Sequence, residues 1–104
     1  MPLSTLPPAR VLSEPVSDYC ARHELLSSLQ AAIRLAENNF SPILGLDVTV
    51  ENDPEADADY LVIDVSVALS VEDVVARKRE FTNQWVRNTP ASLRERIRLV
   101  YNIV

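Results

Sequence analysis

Two runs of alternating residues, Ile43 to Glu51 and Tyr60 to Leu69, separated by the polar stretch NDPEADAD, constrain the fold of this chain more than any other feature. In the first run Leu44, Leu46, Val48 and Val50 fall on one side, and Gly45, Asp47, Thr49 and Glu51 on the other. In the second, Leu61, Ile63, Val65, Val67 and Leu69 oppose Tyr60, Val62, Asp64, Ser66 and Ala68. A period of two belongs to a strand with one buried face, because successive side chains point to opposite faces. The short polar connection makes the pair an antiparallel hairpin. Its register follows from the same pattern: a slip of one residue would turn an apolar set to water, so Val50 is expected opposite Leu61. Asp47 and Asp64 then become direct neighbours on the outer face.

The flanking segments have a helical period. A helix is expected from about Asp18 to Asn38, capped by Ser17, with Leu25, Leu29, Ile33 and Ala36 as its buried line and Asn38, Asn39 and Pro42 ending it. Ser70 followed by Asp73 resembles a capping box and opens a second helix to about Asn88, with Val71, Val74, Phe81 and Trp85 facing the core. Thr89 then caps a short turn with Pro90 at its first position, and Ile97 to Val104 forms a third strand with Ile97, Leu99, Tyr101 and Ile103 inward. Four of the seven prolines lie in residues 1–16, so this stretch reads as a flexible or extended arm whose Val11 and Leu12 are free to dock, and residues 17–104 as a single domain. The expected fold class is α+β: a two-layer sandwich with a mixed three-stranded sheet of order 1-2-3 and two main helices on one face, in the order α-β-β-α-β.

Scarcity excludes several chemistries. One cysteine, Cys20, gives no intrachain disulfide and no cysteine-based zinc site. One histidine, His23, rules out a two-histidine metalloprotease motif, and one glycine, Gly45, cannot build a phosphate-binding loop or a dinucleotide fingerprint. Hydrophobic residues make up 47% of the 104 positions, enough for a core. The first twelve residues lack a basic start and a continuous apolar run, and Tyr60 to Leu69 is too short to span a bilayer as a helix. A cytoplasmic protein with no membrane partner is expected.

The net charge of −5 is unevenly divided: residues 1–70 carry 3 basic and 11 acidic side chains, net −8, and residues 71–104 carry 7 and 4, net +3. An acidic total disfavours binding to phosphate backbones, and Arg77, Lys78, Arg79, Arg87, Arg94, Arg96 and Arg98 form no single stripe, so no nucleic-acid partner is expected.

Four constellations carry the residue types that chemistry needs. Asp47 and Asp64 side by side are destabilising unless Arg98, a cation or a shared proton compensates, and these three residues are the candidate binding site. The acids Asp53, Glu55, Asp57 and Asp59, with Asp64 beyond them, have calcium-loop spacing. Pro54 and Ala58 occupy positions such a loop needs otherwise, which leaves a solvated hairpin loop. Cys20 and His23 lie near a helix start, where a dipole favours thiolate, but Cys20 opposes the line of Leu29 and Ile33 and reads as an exposed surface thiol. Lys78 interrupts an apolar stripe, its stem expected to cover apolar surface while its ammonium reaches water.

No nucleophile, metal set or cofactor cradle emerges. The expectation is a non-enzymatic, self-associating interaction domain without cofactor or metal, which forms a homodimer or meets another protein through the last strand or the outer sheet face beside it. Val100, Tyr101 and Val104 are the candidate interface residues, with Tyr60, Val62 and Ile43 adding outer apolar area. Two alternatives are a cation-dependent or hydrolase-like site at the carboxylate pair and an acidic, antitoxin-like partner of a basic protein.

Overall fold

The computed structural model describes residues 12–104. Two helices, α1 (Glu14–His23) and α2 (Leu26–Phe40), lead into the hairpin β1 (Ile43–Asp53) and β2 (Ala58–Val67). Helix α3 (Val71–Asn88) and the single turn α4 (Ala91–Arg94) then lead to β3 (Ile97–Ile103). The sheet order is β1-β2-β3, with β1 antiparallel and β3 parallel to β2. This is the α+β sandwich that the alternation predicts, including Val50 opposite Leu61 and Asp47 opposite Asp64.

The first expected helix is in fact two. Glu24 adopts a left-handed conformation (φ 54°, ψ 49°) and ends α1, while the Leu25 amide donates to the Cys20 carbonyl at 3.0 Å. The joint resets the helical phase, so α1 buries its own stripe of Val16, Tyr19 and Cys20 beside the Leu25, Leu29, Ala32, Ala36 and Phe40 line. Helix α1 also starts earlier than expected, at Glu14, because Pro15 falls in the first turn, where a missing N–H costs nothing. Residues 1–11 of the expected arm, with Val11, lie outside the described residues; Leu12 packs against the core.

The inner face of the sheet completes the core with Val48, Leu61, Ile63, Val65, Val67 and Ile97. Helix α3 adds Val74, Phe81 and Trp85, and Phe81 lies 6.2 Å from Phe40 and 6.4 Å from Trp85 between ring centres. Ser70 caps α3 as expected, its Oγ accepting from the Asp73 amide at 3.1 Å. Arg77 closes the facing end of α2 by donating to the Asn39 and Ser41 carbonyls at 3.2 and 2.8 Å. These two carbonyls would otherwise lack intrahelical partners.

Facing assignments change at the starts of β1 and α3. A bulge between Ile43 and Gly45 shifts the alternation at the start of β1. Ile43 therefore pairs with Val67 and packs on the core, not on the outer face, and Leu44 turns to water with 60% of its surface exposed. Val71, expected inside, is the first residue of α3 and is exposed. No helix among the described residues is long and apolar enough to cross a membrane.

Candidate functional site

The parallel pairing of β3 with β2 orders the outer face in rows. Thr49, Val62 and Arg98 share one row, and Asp47, Asp64 and Val100 the next. Arg98 is thus one two-residue step from the carboxylate pair. Its guanidinium lies 3.8 Å over the Tyr60 ring and 3.9 Å from an Asp53 oxygen, a half-exposed arrangement worth little in stability. Asn102, one step on the other side, donates its side-chain amide to Asp64 Oδ1. Asp47 Oδ1 accepts from the Val48 amide at 3.0 Å. The structure therefore brings Asp47 and Asp64 together, with Asn102 and not Arg98 as the side chain bonded to Asp64.

The acidic loop holds itself together. Asp53 Oδ1 accepts from the Glu55 and Ala56 amides at 3.0 and 3.4 Å, and Asn52 donates to Asp59 Oδ1 at 3.0 Å. Among the described residues no group of three or more His, Cys, Asp or Glu side chains is placed to hold a metal ion.

Cys20 is buried, not exposed, because the break at Glu24 turns its face of α1 inward. Burial pushes its thiol pKa up from 9.0, opposite to what a nucleophile requires. His23 stacks obliquely on Tyr19 with ring centres 4.4 Å apart and shares no hydrogen-bonded arrangement with Cys20. Lys78 is half-buried as its stem predicts, and its ammonium lies 5.9 Å from the centre of the Tyr101 ring.

Strand β3 differs from its neighbours. Among the described residues no strand pairs with its outer edge. Val100, on the outer face, is 44% exposed, and Tyr101 and Ile103, on the helix-bearing face, are 37% and 42% exposed. Val104 follows them, its amide donating to the Val67 carbonyl at 2.9 Å while its side chain stays in water. Near the other end of β3 is a shallow, mainly apolar cleft lined by Trp85, Val86, Ala91, Arg94, Glu95 and Ile97. Arg94 Nε is buried there with no hydrogen-bond partner among the described residues. Ile103 and the cleft escaped the sequence reading, which placed Ile103 in the core.

No protein-family model, curated protein or solved structure matches this chain.

Proposed function

We infer that the chain is a non-enzymatic, self-associating protein-interaction domain that meets its partner through the outer edge of β3. The observation that supports this is the combination of an unpaired strand edge with large apolar side chains exposed on both faces of the same strand, Val100 on one and Tyr101 and Ile103 on the other. An unpaired edge offers a row of backbone donors and acceptors ready for another strand. Only Arg98 places a formal charge within β3, so little on this edge opposes pairing. A second copy supplies the same apolar surface and the same unpaired groups, and a two-fold contact satisfies both at once.

Light scattering after gel filtration at micromolar concentration should report a mass of two chains for the wild type. Val100→Lys should lower it to one. A wild-type chain that stays single at high micromolar concentration overturns the reading.

The carboxylate pair supports a second reading, a cation-dependent site at Asp47 and Asp64, through the direct pairing of the two residues. Its test is thermal melting with calcium or magnesium, since a ligand bound only by the folded state raises the midpoint. The interaction reading expects no rise. A rise abolished by Asp47→Asn would replace it with the cation reading.

A further inference from the structure

The backbone of β3 selects one register for a second copy. The Leu61 amide donates to the Arg96 carbonyl at 2.7 Å, and the Val104 amide donates to the Val67 carbonyl at 2.9 Å. Backbone groups alternate in direction along a strand, so the even residues 98, 100 and 102 also point at β2. The odd residues Ile97, Leu99, Tyr101 and Ile103 therefore direct their N–H and C=O groups to the open edge. These four positions are symmetric about Val100, the midpoint of the strand.

We propose that two copies join antiparallel, β3 to β3, about a two-fold axis at Val100, forming one six-stranded sheet in which Ile103 of each copy sits beside Ile97 and the Trp85 cleft of the other. This rests on the interaction reading and adds its geometry. In this register Ile97 meets Ile103 of the second copy, and Leu99 meets Tyr101, each as a hydrogen-bonded pair. All four outward positions are used. A shift of the axis to Tyr101 would leave Ile97 without a partner within the strand.

Three separate features favour this arrangement. On the helix-bearing face, the exposed Ile103 side chain is delivered to the end of β3 where Trp85, Val86 and Ala91 leave an apolar cleft around Ile97. On the outer face, Val100 meets its own copy across the axis and covers its 44% exposure. Beside it, Arg98 falls opposite Asn102 of the second copy, the residue bonded to Asp64. An extended arginine there reaches toward that carboxylate across about 11 Å between Cα atoms, two strand spacings over and one two-residue step along. Two such contacts bring positive charge to both Asp47–Asp64 pairs, which carry like charge within each chain. The contacts Arg98 would give up, 3.9 Å to Asp53 and 3.8 Å over the Tyr60 ring, both lie on the exposed outer face.

Cysteine cross-linking of the full chain tests the register. Val100 would be a non-hydrogen-bonded pair across the axis, with Cα atoms about 4.5 Å apart, inside the disulfide range of about 4.4–6.8 Å. Val100→Cys should therefore give a disulfide-linked dimer on mild oxidation, while the wild type, whose Cys20 is buried, should not. Arg98→Cys alone should stay unlinked, but an equal mixture of Arg98→Cys and Asn102→Cys should link. Arg98→Glu should weaken the dimer about tenfold, and adding Asp64→Lys should recover it. A two-chain mass without the Val100→Cys link, or a Tyr101→Cys link in its place, overturns the register while leaving self-association standing. A single-chain mass for the reduced Val100→Cys protein and the wild type alike overturns both.

Discussion

Tyr19 and Asp59 are joined across 40 residues of sequence: the phenol donates to the Asp59 carbonyl at 2.6 Å and accepts from Arg96 at 3.2 Å. One hydroxyl thus ties α1 to the start of β2 and to the segment entering β3. Tyr19→Phe keeps the ring packing and removes this link, so it should cost about 1–2 kcal/mol in chemical denaturation. No change in midpoint would show that water replaces the hydroxyl without loss.

The buried Cys20 should resist modification. A thiol reagent that labels the unfolded chain within seconds should label the native protein far more slowly, because attack needs both exposure and thiolate. Equal rates would place α1 off the core.

Leu29 is completely buried in the first turn of α2. Leu29→Ala should destabilise by about 2–5 kcal/mol, combining lost transfer energy with a cavity. A change below about half a kcal/mol would make α2 peripheral to the core.

His23 should make stability fall in mild acid. Burial lowers its pKa below 6.5, with Arg96 and Arg22 acting the same way and Asp59 opposing them. The native state therefore binds this proton less readily than the unfolded chain does. The contribution is complete above pH 6.5 and is lost as pH falls from 6.5 through the lower native value. Urea titrations of wild type and His23→Gln should diverge in that window, the variant having the flatter slope. Parallel curves would refute the assignment.

Asp47→Asn should stabilise the fold by about 0.2–1 kcal/mol at low salt, because it removes a like-charge cross-strand pair. Added salt should shrink the gain. A loss of stability would mean that the negative charge on the Oδ1 accepting from the Val48 amide contributes more than the repulsion costs, since asparagine keeps only a neutral acceptor there.

The phase of the hairpin was legible because period two is unforgiving: a slip of one residue would part the face of Val48 and Val50 from that of Leu61 and Ile63. The bulge at Leu44 was hidden because Ile43 and Leu44 are both apolar, so either phase satisfies the pattern. The break at Glu24 was hidden for a related reason. No glycine or proline marks it, and glutamate is an ordinary helix residue that rarely adopts positive φ. Without that break Cys20 and Tyr19 project onto the wrong side of the wheel. At the candidate site, sequence placed Asp47 opposite Asp64 but not Asn102 beside them. Arg98 drew attention by charge, whereas the row offset that carries it to Tyr60 depends on where β3 begins against β2.

The carboxylate of Asp47 has one more consequence. Its bond to the Val48 amide occupies a donor that alternation directs away from β2, toward the open side of β1. The bulge at Leu44 kinks that margin, and Asp47, Glu51 and Asp53 line it with negative charge. The two margins of the sheet differ: among the described residues β3 leaves its outer edge unpaired, while at the β1 margin the Val48 donor is already taken by Asp47. On the proposed pairing, addition through β3 would stop after a single second copy, because the β1 margins left at both ends of the joined sheet carry negative charge.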